Sequence, residues 1–222
     1  VLAGLVGATT VGALTLARRT TTAFDRLARQ TGADDARGMV LVHDDLVDEI
    51  IELPEVTDSW VGRVGIGQVE GTFQFLGITA GPTQPSPLLH PVVLNGRLPR
   101  AAGGGVIEVA LREDFQAAFG IALGTELSVR FLTLADYFRF DTGFVGGHPN
   151  GPTLRVRVVG TVRMADDSRT IPPAFAAPDA LRAHPDAFEP GASWFVRLDG
   201  GAAAFDRFRA EVDALAADRS LP

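Results

Sequence analysis

The alternation of apolar and polar positions divides the chain into an uncharged start and a mixed body. Val1 to Ala17 reads VLAGLVGATTVGALTLA and contains no charged residue. As a helix rising ~1.5 Å per residue it covers roughly 25 Å, somewhat less than a ~30 Å hydrocarbon core. The pattern predicts the C-terminal part of a transmembrane helix over 1–17. A secretory signal would carry its basic residues before the apolar run, whereas Arg18 and Arg19 follow it. A buried helix of a soluble fold is the alternative. Beyond the pair, Phe24, Leu27 and Ala28 keep helical spacing and predict a helical stalk over 18–35, ended by Gly32 and the Asp34–Asp35 pair.

From Gly38 the period changes. Met39 to Val42 reads as a short buried strand. Asp44 caps a helix with Leu46, Val47, Ile50 and Leu53 on one face, closed by Pro54. Val61 to Val69 is a strand interrupted by glycines, and Thr72 to Ile78 another. Gly81 to Pro91 carries four prolines and reads as a loop, and Asn95-Gly96 as a turn. Strands are expected at Val106–Val109, Glu126–Leu132, Leu154–Met164 and Ser193–Leu198. Helices are expected at Leu111–Phe119, stopped by Gly120, and at Ala202–Ala217, with Phe205, Phe208, Val212 and Leu215 on one face. Phe140 to Pro152 reads as an exposed glycine-rich loop. Strands and helices in this order predict an α+β fold.

Composition narrows the chemistry. The net charge of −7 argues against a nucleic-acid partner. There is no cysteine, which removes disulfides and thiolate metal ligands. All basic residues are arginine, so the GxxxxGK[ST] loop of an ATPase is impossible. The glycines of Gly65-Ile66-Gly67-Gln68-Val69-Glu70-Gly71 are spaced one residue too far for a dinucleotide loop and suit a softened strand or bulge. His90, His148 and His184 each precede proline, and none of these, nor His43, has the spacing of a helical metal site. Asp44, Asp45, Asp48 and Glu49 cluster at a helix start, where capping and the helix dipole already favour carboxylates. Ser193 lacks the following glycine of a nucleophile elbow. The sequence therefore offers no catalytic, cofactor-binding or metal-binding residues and reads as that of a non-enzyme.

The order of several short stretches resembles the MacB-like periplasmic core domain of FtsX-like ABC transporter permeases. They are Arg18-Arg19-Thr20 with Ala23-Phe24-Asp25-Arg26, Ile51-Glu52-Leu53-Pro54-Glu55-Val56, Asn95-Gly96-Arg97-Leu98-Pro99, Val106-Ile107-Glu108-Val109, Gly124-Thr125-Glu126-Leu127 and Arg157-Val158-Val159-Gly160-Thr161-Val162. Glu55 stands where the family commonly has glycine, and Thr125 where its strand commonly starts with an acid. The resemblance implies a βαβ-containing lobe from 36–78 and 153–217 and a smaller, mostly β insertion lobe at 79–152. It implies a membrane permease working as a homodimer or heterodimer with a cytoplasmic ABC ATPase subunit. The domain would lie on the extracytoplasmic face of the cell membrane, facing a lipid, lipoprotein or peptide substrate or an extracytoplasmic protein partner. An FtsX-like regulator of a cell-wall hydrolase, or a free-standing binding module on an anchor, are the other readings.

The charge-free run generates a first prediction. Protein beginning at Thr20 stays monodisperse without detergent, whereas the chain from Val1 needs detergent, as size-exclusion chromatography would show. Monodispersity of the longer form in plain buffer contradicts the membrane reading of 1–17.

Overall fold

The chain stays extended from Val56 to Val69, a 14-residue strand (β2) that the rest of the molecule is built around. The computed structural model describes residues 23, 26–40, 44–81, 86–101, 105–139, 148–164, 173–188 and 191–219. The segment 1–17, and with it the expected membrane helix, lies outside the described residues. No helix among the described residues is long and apolar enough to cross a membrane.

The first half of β2 belongs to an open antiparallel sheet. β1 (Ala36–Val40) pairs with β9 (Gly191–Leu198), and β9 pairs with β2 over Val56–Val64. Helices α1 (Asp44–Ile51) and α5 (Phe205–Asp218) cover one face. Alternate residues of β9, Ala192, Trp194, Val196 and Leu198, meet Leu46, Val47 and Ile50 of α1 and Phe208 of α5. The predicted apolar face of α1 is thus the one buried. On α5, Phe208 is buried, whereas Phe205 remains 40% exposed. Residues 201–204 form a 3-10 turn, and the α-helix starts only at Phe205. Phe205 therefore lies on the first turn, before the helix settles onto the sheet.

The second half of β2 enters a different body. It pairs with β3 (Phe75–Ala80) on one side and β6 (Glu126–Phe131) on the other. β3 runs beside β8 (Ala174–Ala176), β8 beside β5 (Val106–Arg112), β5 beside β7 (Thr153–Arg163), and β7 beside β6. The path returns to β2, so six strands close into a barrel, with β3–β8 and β5–β7 parallel and the other four pairs antiparallel. β4 (Val92–Gly96) lies outside the ring, against β7. The connecting helices are α2 (Glu113–Phe119), α3 (Leu134–Arg139) and α4 (Asp179–Ala183).

Inward positions alternate as a barrel requires: Leu76 and Ile78, Ile107 and Val109, Val129 and Phe131, Val156 and Val158. Ala187 and Phe188, beyond α4, complete this core. Even eight strands leave only room for side chains, so six leave less, and β2 contributes glycine where its neighbours need the space. A Cβ on Gly65 would overlap the Ala187 carbonyl and the Phe131 ring, and one on Gly67 would overlap Val129. The glycine-spaced stretch is an interior barrel wall.

Three stretches add to or alter the sequence picture. β7 pairs with β4, β5 and β6, and β8 with β3 and β5. Asn95-Gly96 is the kinked end of β4, with a register shift between Val93 and Asn95, rather than a turn between strands. The stretch after Phe131 opens with helix α3.

Two substitutions test this packing. Phe208→Ala should cost about 3–5 kcal/mol, and Gly65→Ala about 1–3 kcal/mol through overpacking, both measured by denaturant melts. A wild-type midpoint for Gly65→Ala contradicts the interior placement of that strand.

Candidate functional site

The stretches that carry the family resemblance converge on a few tertiary contacts. The Gly96-Arg97-Leu98-Pro99 segment leaves β4 and crosses β5 and β7. Gly96 has a φ of 71°, and its Cα and that of Gly160 sit where no Cβ would fit, against the carbonyls of Val159 and Arg97 respectively. This approach lets the Arg97 N–H donate to the Val159 carbonyl at 3.0 Å. It also lays the Arg97 guanidinium along Glu108 of β5, donating to both carboxylate oxygens at 2.6 and 2.5 Å. The Arg100 N–H donates to the same carboxylate at 2.9 Å. The Arg97 hydrogen bonds come first among the causes that hold the Glu108 pKa down, at about 2, and partial burial opposes them. Residues from three separate motif stretches thus form one fastening on the barrel wall.

A second fastening sits at the base of α5. Glu55, from the Leu53-Pro54-Glu55 turn between α1 and β2, is 4% exposed and pairs with Arg207 at 2.6 Å. Its carbonyl accepts from the Asp199 N–H at 2.7 Å. A backbone hydrogen bond is the leading cause that lowers the Glu55 pKa, against the effect of burial. Burial, and then the charge of Glu55, raises that of Glu211 one turn along the same helix. At the other end of α5, Arg219 bonds Asp45 and Glu49 of α1. Two members of the acidic cluster therefore anchor a helix end, and no group of three or more metal-ligating side chains occurs among the described residues.

The incoming chain is held between these. Residues 26–31 are helical. Their C-terminal carbonyls, of Thr31 and Gly32, accept from His90 and Leu89 at 2.8 and 3.1 Å. Leu89 carries a φ of 55°, unusual for a branched residue, which keeps the Leu88-Leu89 pair in the third core. There it packs with Trp60, Phe175 and Phe195 between the open sheet and the barrel. Asp35 then hooks the start of β1 to β9, its side chain accepting from the Leu198 N–H at 2.9 Å. Entering chain and departing helix α5 adjoin here, with Gly201 beside Asp35.

No protein-family model and no curated protein matches the sequence. Among solved structures, the chain is similar to the extracellular domain of the noncanonic ABC-type transporter YknZ from Gram-positive bacteria. The identity is 11% and the TM-score 0.41, over 83% of this chain and 86% of that one. It is also similar to the periplasmic region of MacB from Actinobacillus actinomycetemcomitans, at 12% identity and a TM-score of 0.36, over 77% and 72%. Both TM-scores lie below 0.5, so the functional reading below rests on this chain's own residues.

The remaining candidates disperse. Ser193 lies inside β9 and is 6% exposed. His90 and His148 are exposed, His184 is half-buried, and His43 lies outside the described residues. The sequence reading missed the knot at Asp136, a residue 2% exposed. Its carboxylate accepts from Thr133 N at 3.1 Å, and from Asn150 N and Nδ2 at 2.7 and 2.5 Å. The Thr133 hydroxyl accepts from Asp136 N in return. This is a capping box with aspartate in the acidic position, and Thr-x-x-Asp was its available signal. It closes the two ends of the 137–149 stretch against each other.

The Glu108 carboxylate predicts a pH window. Its folded pKa lies below the ordinary 4.5, so its contribution is complete above that value and disappears as pH falls through about 2. Glu108→Gln should cost about 1–2 kcal/mol at pH 7, discounted for the solvent reaching Arg97. The gap to wild type should close between pH 4.5 and 2 in urea melts. A gap independent of pH contradicts the ion pair as its source.

Proposed function

We propose that this chain is the extracytoplasmic domain of an ABC transporter permease subunit. It transmits the work of a cytoplasmic ATPase to a lipid, lipoprotein or peptide substrate outside the membrane. The observation that carries the reading is the placement of the motif stretches. Ile51–Val56 supplies Glu55 to the base of α5, and Gly96–Pro99, Glu108 and Gly160 fasten the barrel wall. Glu55 departs from the family pattern, but the other motif residues, Gly96, Arg97, Glu108 and Gly160, are thus spent on holding segments together, which a mechanical part requires.

In this reading the helix over 26–31 continues from the membrane segment predicted at 1–17, and α5 leads toward a second span. A push on either reaches β1, β9 and α1 through Asp35, Glu55 and Arg219. It reaches the barrel through β2 and the Leu88-Leu89 wedge. The ATPase subunit and a second permease, identical or not, are the partners. The alternative, a regulator that docks a cell-wall hydrolase, draws on the β2–β3 hairpin tip, where Phe73 is 97% exposed.

Residues 1–222 contain no cysteine, so one thiol introduced there, in a background freed of any others, reports sidedness. Phe73→Cys in the intact membrane protein should react with a membrane-impermeant maleimide on whole cells. Labelling only after lysis overturns the proposed location. Arg219→Ala should leave the fold intact and lower substrate-stimulated ATP turnover of the assembled complex. Unchanged coupling removes α5 from the transmission route.

A further inference from the structure

One face of the open sheet, opposite α1 and α5, holds a cavity of about 330 Å³. Its floor crosses β1, β9, β2 and β3 in register: Met39 faces Ser193, Phe195 faces Arg37, and Ile66 faces Gly77. Val64 and Ile66 contribute the face of β2 turned away from the barrel interior, and Tyr137 of α3 and Pro173 form the walls. The lining is overwhelmingly apolar, with polar groups at few points.

Those polar groups define what can enter. The Arg37 guanidinium is already neutralised by Asp34 at 2.9 Å and lies over the Phe195 ring, so the cavity offers no unpaired cation to an anionic head group. Ser193 differs: its residue is 94% buried, since 6% is exposed, and it lines the cavity. Its hydroxyl forms no side-chain hydrogen bond among the described residues. The hydroxyl is not among the enclosed side-chain atoms that lack a partner, so it opens onto the cavity. It can donate to one carbonyl oxygen arriving from the cavity.

The geometry points to a binding site for a single acyl chain attached through an ester or amide, the carbonyl accepting from Ser193 and the chain lying over Val64, Ile66 and Phe195. The volume is near the lower limit of ligand pockets (~300–1,000 Å³), which fits one chain and not two. Met39, 42% exposed, stands at the mouth. The site deepens the transporter reading and rests on it for its biological sense: within the class of lipid, lipoprotein and peptide it selects acylated molecules.

The two tryptophans provide a readout. Trp60 contacts Phe195 edge-on at 5.3 Å on the cavity side, whereas Trp194 packs against Phe208 beneath α5. The full chain in bilayer nanodiscs is titrated with a dodecanoyl chain brominated at its end, as a monoacylglycerol in one arm and as an N-acylated dipeptide in the other. Saturable quenching of Trp60 is expected in at least one arm, and the stronger arm identifies the source of the chain. Met39→Arg, at an exposed position, should weaken it about 10-fold or more without changing the melt. Ser193→Ala should weaken it about 3–10-fold. Phe73→Ala should leave it unchanged. Quenching that is unsaturable, or equal in wild type and Met39→Arg, overturns the site. Outward labelling at position 73 without acyl binding sinks the cavity alone; binding with inward labelling sinks the proposed location alone.

Discussion

The hydrogen bonds of β2 are divided among three neighbours: β9 takes Val56–Val64, β3 takes Arg63–Gln68, and β6 takes Gly67–Val69. The strand passes without a break from a half-covered sheet into a closed barrel, and its composition follows. In the sheet, Trp60 and Val64 fill one face. In the barrel, Gly65 and Gly67 leave the interior to Phe131, Val129 and Ala187. Because one strand serves both bodies, with Arg63 and Val64 paired on both sides, rotating one against the other strains the backbone ladders where they overlap. The third core, around Trp60, Phe195 and Leu88, fills the angle between them. The two differently built ends thus share one strand and one core.

Electrostatics refines this frame rather than creating it. Arg97 reaches Glu108 only because Gly96 and Gly160 let two backbones meet. Arg207 reaches Glu55 only because the turn after α1 is tucked under α5. Burial of the Glu55 carboxylate works against its charge, and the compensation comes from a backbone hydrogen bond and Arg207 together. Among the described residues its Oε2 lacks a hydrogen bond of normal geometry, which leaves a standing cost at this position. Ion pairs of such partly exposed kinds add little bulk stability. What they do add is direction, fixing which helix end meets which strand.

Much of the local structure was legible in the sequence, and its assembly much less so. Leu46, Val47 and Ile50 announced a helix with one buried face, and Val156 and Val158 a strand, because period alone determines which face is apolar. The partners of that strand were invisible. β7 joins β5 in parallel and β6 in antiparallel pairing, and nothing in alternation specifies either neighbour. β8 escaped notice because Ala174-Phe175-Ala176 is too short to show a period. Helix α3 escaped because its capping box uses aspartate, and Phe205 was assigned to a buried face because the 3-10 turn shifts the helix start. The cavity near Ser193 draws on four strands and a helix at once, and no linear pattern encodes it.

Closure of the barrel also dictates an order of events as the polypeptide is synthesised. The ring is complete only when Ala174–Ala176 has been delivered, and the open sheet only when Gly191–Leu198 slides between β1 and β2. More than half the chain must therefore wait, with β2 lacking its neighbour β9 and the Gly65 wall facing no Ala187. Pairings this distant in sequence form slowly, and unpaired strand edges invite association meanwhile. Until its last third arrives, the nascent chain therefore exposes the very edges and apolar wall that the finished barrel hides.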